Sequence, residues 1–297
     1  MTSADTEEQI LRTRKPRWLM RSLPSKPEYE MVRSLIAKGG LHTVCQEAGC
    51  PNQFECFSRR TATFLILGSR CTRNCGFCSI EHGPEGLPDT EEPRKVAQAA
   101  AEMGLRYVVI TSVTRDDLAD GGSGLFAETI REIRKQIPLA MTEVLIPDFQ
   151  GDESALRTVL DACPHVLNHN IETVPRLYPT VRPQAVYERS LELIRRVKEY
   201  APDIPAKSGI MLGLGERDEE IEQTLKDLHR AGCSFLTVGQ YLRPSEKHLA
   251  VKRYVPPEEF SQWRERALKI GFAAVAAGPF VRSSYNAGEM YNTLSET

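Results

Sequence analysis

The feature that most limits the fold of this 297-residue chain is a regular alternation of two kinds of segment. Short apolar or β-branched runs, of the kind that form buried strands, are separated by longer stretches with the apolar period of helices. Parallel strands joined by right-handed helical crossovers account for such alternation. The predicted strands cover residues 61–67, 107–113, 140–146, 166–171, 208–214 and 235–241, and the predicted helices cover residues 92–103, 125–136, 153–162, 186–200, 219–231 and 257–270.

Six strand–helix units fall short of the eight that close a (β/α)8 barrel. The sequence therefore predicts an α/β fold, a partial (β/α)6 TIM-type barrel open enough to admit a large substrate. We expect an N-terminal extension over residues 1–60, the partial barrel over residues 61–272 and a C-terminal extension over residues 273–297. Active sites on such barrels gather at the C-terminal ends of the strands, which we call the mouth.

Six of the eight cysteines fall into two groups of three. The N-terminal trio, Cys45, Cys50 and Cys56, precedes the first predicted strand. The barrel trio, Cys71, Cys75 and Cys78, follows that strand directly, so its loop is expected to open onto the mouth.

Composition limits what these thiols can be. No apolar run approaches the roughly 20 residues that a membrane helix needs, and the first residues lack the basic-then-apolar pattern of a secretory signal. We therefore expect a cytoplasmic protein that does not bind membranes. A formal net charge of −2 argues against a general nucleic-acid binder. In a reducing cytosol, clustered thiols favour metal ligation or redox chemistry over disulfides.

The spacing of the trios favours iron–sulfur clusters over zinc, more strongly for the barrel trio. Structural zinc sites usually draw four Cys or His ligands as two pairs, whereas each trio offers three thiols without a paired partner at zinc spacing. Thiolates ligate iron–sulfur clusters, and short spacings let one loop wrap three corners of a cube. A missing fourth thiol leaves one iron open to an exogenous ligand, which indicates that the barrel trio is catalytic.

The motif Cys71-x3-Cys75-x2-Cys78, with the aromatic Phe77 before its last cysteine, resembles the radical S-adenosylmethionine (SAM) superfamily. Within that superfamily, four features are similar to the lipoyl synthases, and the similarity covers essentially the whole chain after about residue 14. These features are the N-terminal trio, residues 111–118, residues 168–173 and the C-terminal motif Arg282-Ser-Ser-Tyr285.

The resemblance implies two 4Fe–4S clusters and SAM as cofactors. In that family, a cluster on the barrel trio splits SAM to a 5′-deoxyadenosyl radical, which takes hydrogen from two carbons of an octanoyl chain. That chain is carried on a lysine of a lipoyl carrier protein or domain, and the electron comes from a donor such as a flavodoxin or ferredoxin. The cluster on the N-terminal trio supplies the sulfur and is consumed. A serine of the C-terminal motif holds its fourth iron; we expect Ser284, with Ser283 as the alternative.

Several residues are weaker candidates, and three of them have a purely structural interpretation. His169 is expected to be a hydrogen-bonded structural residue, and Cys163 and Cys233 are expected to be buried structural cysteines. The candidate cofactor contacts are Phe77, Ser112, Asn170, Glu172, Lys207, Leu212 and Tyr241.

Three alternative functions remain. They are another sulfur-inserting radical SAM enzyme, an iron–sulfur electron carrier and a zinc-stabilised binding module.

Overall fold

The computed structural model describes residues 15–20 and 27–292 of the chain. The strands of the main sheet are β1 (His42–Thr43), β2 (Thr63–Ile66), β5 (Tyr107–Ser112), β6 (Met141–Leu145), β7 (Val166–Asn168), β8 (Ala206–Leu212), β9 (Cys233–Gln240) and β10 (Ala274–Gly278), and a separate pair contains β3 (Arg70–Cys71) and β4 (Glu81–His82). Among the described residues, the eight strands of the main sheet follow the order β1-β2-β5-β6-β7-β8-β9-β10. Strand β1 pairs antiparallel with β2, and every later neighbour pairs in parallel.

Helices connect the parallel strands, as the alternation predicts. Helix α4 (Glu92–Met103) shows why: its apolar residues recur at helical spacing, Pro93 occupies its first turn, and Gly104 caps its end in the left-handed conformation. The described helices are α1 (Pro27–Gly39), α2 (Val44–Glu47), α3 (Gln53–Ser58), α4 (Glu92–Met103), α5 (Ser123–Gln136), α6 (Glu153–Asp161), α7 (Tyr178–Val181), α8 (Tyr187–Tyr200), α9 (Asp218–Arg230), α10 (Pro257–Ile270) and α11 (Ala287–Asn292).

The sheet is an open barrel. The strand order is linear among the described strands, with β1 at one edge and β10 at the other, and this confirms the predicted partial barrel. The sheet also contains a seventh parallel strand, β10, which the six-unit alternation does not include. It pairs with β9 from Ala274 opposite Phe235 to Gly278 opposite Gly239. The region expected as a C-terminal extension from residue 273 thus begins with a strand of the barrel.

Residues 279–292, the C-terminal segment, run from the mouth end of β10 back toward the N-terminal ends of the strands. The Val281 carbonyl lies over Gly239, where an added Cβ would be only 2.3 Å from the carbonyl oxygen. Helix α11 then buries Met290 against Val166, Phe235 and Ala274. The C-terminal segment therefore spans the height of the barrel.

A search of the described helices finds none with the length and apolar character that crossing a bilayer requires.

Candidate functional site

The barrel trio lies in the loop that leaves β2, as predicted from its position after the first strand of the barrel. The Cys71 carbonyl accepts a hydrogen bond from the backbone of Gly83 at 3.0 Å. Gly76 donates to the Val181 carbonyl and accepts from Leu249, both at 3.0 Å. A Cβ on Gly76 would lie 2.9 Å from the Leu249 side chain, so this close approach requires glycine.

Arg73 fastens the barrel-trio loop to the ends of two other strands. Its guanidinium nitrogens lie 2.7 Å from Asp116, which follows β5, and 2.5 Å from Asp148, which follows β6. The Arg73 side chain is 5% exposed and that of Asp148 is fully buried. Burial alone would raise the pKa of Asp148, but the hydrogen bonds and charge of Arg73 outweigh it and lower that pKa to about 2. The loop is thus held by a buried, charge-assisted pair.

The three thiols of the barrel trio influence one another. Burial raises the pKa of the Cys78 thiol to about 12, and the charges of Cys75 and Cys71 add to the shift. Burial also raises the pKa of Cys75, which the nearby Arg182 guanidinium opposes. Because only the thiolate ligates metals, such thiols require a strongly cationic partner in order to ionise.

A group of polar side chains lies beside this trio at the mouth. Asn170 donates to Glu172 through a 3.0 Å hydrogen bond, and Glu172 occupies a left-handed backbone conformation with φ 65°. Burial raises the pKa of Glu172, while Arg182 opposes that shift. The Oγ of Ser112 and the Oδ1 of Asn170 are buried without a hydrogen-bond partner. Unsatisfied buried polar atoms are rare, so this group is suited to a polar ligand.

Arg182 belongs to the same group, although it was not among the predicted cofactor contacts. Its Nη1 donates to the carbonyl of Asn170 at 3.0 Å and to that of Ile171 at 3.2 Å. Its Nε is buried without a partner. No local sequence pattern marks this arginine as a site residue. Its place in the group depends on the turn after α7, which brings its guanidinium to the Asn170 carbonyl.

An apolar wall completes the mouth. Phe77 packs against the cluster that contains Tyr241, Val181 and Leu214. The Tyr241 hydroxyl donates to the Leu249 carbonyl at 2.7 Å, and its backbone donates to Leu212 at 2.8 Å. Two predicted contacts, Phe77 and Tyr241, therefore shape this wall, whereas the Leu212 side chain lies in the main core of the barrel.

Lys207 does not join the residues at the mouth. Strand β8 begins at Ala206, so Lys207 lies near its N-terminal end, away from the mouth. Its ammonium nitrogen is 2.9 Å and 3.1 Å from the two carboxylate oxygens of Glu143. This placement corrects the expectation of a cofactor contact, because the charge of Lys207 is already paired inside the barrel.

The N-terminal trio converges on the first strand of the barrel. Cys45 lies in α2, Cys56 lies in α3, and the backbone of Cys50 donates to the Cys45 carbonyl at 3.1 Å. Burial raises the pKa of Cys45 to about 12, the charges of Cys50 and Cys56 add to the shift, and a backbone hydrogen bond from Thr63 opposes it. These thiols are therefore mutual neighbours next to the start of β2.

Three hydrogen bonds between distant parts of the chain hold the C-terminal segment, which carries Ser284, beside the N-terminal trio. Thr63 donates from its hydroxyl to the Ser284 hydroxyl at 2.8 Å. The Asn52 amide donates to the Phe280 carbonyl at 2.7 Å, and the Tyr285 hydroxyl donates to Glu55 at 3.0 Å. The C-terminal segment thus brings a hydroxyl oxygen to a site that offers three thiols.

Over residues 15–20 and 27–292, no three Cys, His, Asp or Glu side chains gather closely enough to surround one metal ion. In a cubane cluster, by contrast, each thiolate binds a different iron atom. Two donor sets suit such clusters. One consists of the N-terminal trio with the Ser284 hydroxyl, and the other is the barrel trio at the mouth.

The structural interpretations hold for two of the three residues. His169 is buried, with its ring nitrogens 2.9 Å from the Ile146 carbonyl and 3.0 Å from the Ser190 hydroxyl. Cys233 is buried, as expected. The expectation for Cys163 is wrong, since this residue is exposed in a left-handed turn after α6, with φ 52°.

Comparison with known proteins identifies relatives over nearly the full chain. The profile of the radical SAM superfamily matches residues 65–228. The chain is 56% identical to a lipoyl synthase of Desulfotalea psychrophila, over 98% of this chain and 97% of that protein. It is also 54% identical to a lipoyl synthase of Nitratidesulfovibrio vulgaris, over 99% of this chain and 97% of that protein.

Solved structures support the fold at low sequence identity. HydG, a hydrogenase maturase, superposes with a TM-score of 0.59 at 12% identity, over 98% of this chain and 69% of its own. Methylornithine synthase superposes with a TM-score of 0.55 at 14% identity, over 86% of this chain and 75% of its own. The open barrel is therefore an architecture that other proteins share.

Proposed function

Since the chain belongs to the lipoyl synthase family of the radical SAM superfamily, we propose that its two cysteine trios hold the two 4Fe–4S clusters of this enzyme. The enzyme inserts two sulfur atoms into the octanoyl chain of an octanoyl-lysine on a lipoyl carrier protein. When bound, the clusters and SAM supply the electron, the carbon radical and the sulfur that this reaction needs. The protein contributes binding, orientation and exclusion of side reactions.

Cys71, Cys75 and Cys78 bind the first cluster and leave one iron open for SAM. The observation that carries this assignment is the combination, at one edge of the barrel, of three thiols with two buried polar atoms that lack partners. These atoms are Ser112 Oγ and Asn170 Oδ1. Each costs free energy while it remains unsatisfied, so a polar ligand that satisfies both is favoured.

Ser112, Asn170 and Glu172 contact the polar groups of SAM. Phe77 and Tyr241 form the apolar wall, which keeps water away from the carbon that reacts, and Leu212 supports the wall by accepting the backbone hydrogen bond of Tyr241. Exclusion of water matters because a reactive radical must reach only its intended C–H bond. Lys207 has no part in this site, since Glu143 already pairs with it.

Cys45, Cys50, Cys56 and Ser284 bind the second cluster, from which the sulfur comes. An oxygen ligand matches iron in a sulfide cluster less well than a thiolate does, so Ser284 would hold the corner that the protein binds least tightly. The variant Ser284→Cys should therefore keep the cluster and impair sulfur insertion. Full activity in that variant would contradict this role.

The partners follow from the same reaction. The carrier protein presents the octanoyl-lysine at the mouth, and a flavodoxin or ferredoxin supplies electrons to the first cluster. We place the enzyme in the cytoplasm, where reducing conditions keep thiols available; the described residues, which include all eight cysteines, contain no disulfide.

The experiment that tests this function is anaerobic incubation with SAM, a reductant and an octanoyl-lysine peptide, followed by mass analysis for the gain of two sulfur atoms. The variant Cys71→Ala should lose both SAM cleavage and sulfur insertion. The variant Cys45→Ala should retain SAM cleavage and lose only sulfur insertion. Equal loss of SAM cleavage in both variants would show that the two trios do not have separate roles.

A further inference from the structure

Thr63 connects two parts of the second cluster site. It begins β2, is 6% exposed, and pairs with Val109 in the sheet. Its hydroxyl donates to Ser284 at 2.8 Å, and its backbone forms the hydrogen bond that acts on the Cys45 thiol. One residue of the rigid sheet therefore contacts a thiol from the N-terminal extension and a hydroxyl from the C-terminal segment.

This geometry matters because a serine side chain does not hold one orientation by itself. A serine hydroxyl can occupy three staggered rotamers, and hydrogen bonding selects among them. Thr63 is β-branched and therefore stiff at χ1, and its backbone is fixed by the sheet. The donor that selects the Ser284 rotamer is thus better ordered than Ser284 itself.

We propose that Thr63 is a positioning residue for the second cluster: its hydroxyl orients Ser284 Oγ and donates a hydrogen bond to that oxygen when Ser284 binds iron. This inference rests on the assignment of Ser284 as a ligand. An oxygen bound to iron still has a lone pair that can accept a hydrogen bond, and such bonds are stronger when the acceptor is charged. Thr63 therefore holds Ser284 Oγ in one orientation, through the 2.8 Å hydrogen bond, before and after ligation.

The test compares Thr63→Val, which removes the donor and keeps the shape, with Thr63→Ser, which keeps the donor. Each full-length chain is reconstituted anaerobically with ⁵⁷Fe, and two quantities are measured. The first is the Mössbauer signal of the oxygen-ligated iron, and the second is the rate at which a chelator removes that iron. Thr63→Val should weaken the signal and release iron about tenfold faster, the effect of one lost hydrogen bond. Thr63→Ser should restore both.

A second pair of variants separates positioning from general structural support. In the Ser284→Cys background, Thr63→Val should no longer change iron release, because a thiolate ligand does not depend on the hydroxyl donor. The same tenfold change in that background would overturn the proposal. Wild-type signal and release rate in Thr63→Val alone would overturn it as well.

The failures of the two assignments are distinguishable. If Ser284→Ala leaves the Mössbauer signal unchanged, Ser284 is not a ligand, and the proposed second site fails together with the role of Thr63. If Ser284→Ala changes that signal while Thr63→Val does not, only the role of Thr63 fails.

Discussion

The ammonium nitrogen of Lys207 lies 2.9 Å from Oε1 of Glu143, and both side chains are 1% exposed. The Tyr107 hydroxyl and the Asn168 amide also donate to this carboxylate, at 2.8 Å and 3.3 Å. The Glu143 carboxylate therefore accepts hydrogen bonds from three side chains inside the barrel, and such additional hydrogen bonds are what a buried ion pair needs to be stable.

Replacement of Lys207 tests whether its role is structural. Lys207→Met leaves the Glu143 carboxylate buried without its cation, and we expect it to lower the free energy of unfolding by about 3–5 kcal/mol. The double variant with Glu143→Gln should recover much of that loss. Urea unfolding measures the stability, and the dissociation constant of SAM serves as the control. A large loss of SAM affinity in a stable Lys207→Met protein would instead indicate a cofactor contact.

Two glycines provide a matched test of how the C-terminal segment reaches the N-terminal trio. A Cβ on Gly239 would lie 2.3 Å from the Val281 carbonyl oxygen, whereas one on Gly278 would lie 3.4 Å from the Val281 side chain. Gly239→Ala should therefore displace the segment and lower the iron content toward that of one cluster. Gly278→Ala should keep both clusters. Equal iron content in the two variants would show that this path does not matter.

Arg73 should be needed to keep the barrel-trio loop in place. Lysine cannot contact two carboxylates in the planar, forked manner of arginine, so Arg73→Lys weakens the pairing of the buried Asp148, which keeps Arg189 at 3.3 Å as its other cation. We expect SAM cleavage to fall at least about tenfold, the effect of one or more lost charged hydrogen bonds. The control is Arg70→Lys, because Arg70 is 52% exposed and its ion pair with the exposed Glu81, at 3.5 Å, is long and solvated. The prediction is wrong if both variants cleave SAM at the same rate.

The unsatisfied atoms at the mouth predict specific losses of SAM affinity. Ser112→Ala and Asn170→Ala each remove a group that the ligand would satisfy, and each should weaken SAM binding about tenfold. Isothermal titration under anaerobic conditions measures this, with Ser261→Ala on the exposed face of α10 as the control. Binding in Ser112→Ala and Asn170→Ala as tight as in the control would remove these contacts from the site.

His169 gives the folded protein a pH dependence. Burial is the main cause that lowers the pKa of His169 to about 4, so the ring stays neutral in the folded state while the unfolded chain takes up a proton near pH 6.5. The unfolded state thus binds more protons between these values, and stability falls as pH falls through this window. From pH 6.5 to pH 5 the loss should be about 1.5 kcal/mol. Urea unfolding at several pH values should show this slope, and His169→Gln should reduce it.

Local patterns in the sequence account for most of the elements. The helix predicted over residues 92–103 coincides with α4, because an apolar period, a proline in the first turn and a glycine at the end all indicate the same boundaries. Strand β10 escapes prediction because its residues, Ala-Val-Ala-Ala-Gly, are mostly poor strand formers. It forms a strand because it pairs with the edge of β9, and this pairing depends on the tertiary fold and not on the local sequence.

The site was predictable only as far as its motifs are local. The barrel trio is one short loop, so its place at the mouth follows from the strand before it. The contact of Thr63 with Ser284 joins residues that are 221 positions apart, and no pattern in either segment indicates it. Lys207 was grouped with the polar residues at the mouth although it directly precedes the predicted strand 208–214; β8 begins at Ala206, which places Lys207 at the edge opposite the mouth.

The meeting of Thr63 with Ser284 also bears on how the protein matures. Residues near position 50 are translated long before residues 279–292, so a nascent chain contains the N-terminal trio before it contains Ser284, the oxygen ligand that we propose for it. A product that ended before Ser284 would keep the barrel trio and lack the proposed fourth ligand of the second cluster. On this assignment, the order of synthesis sets the order in which the two cluster sites become complete.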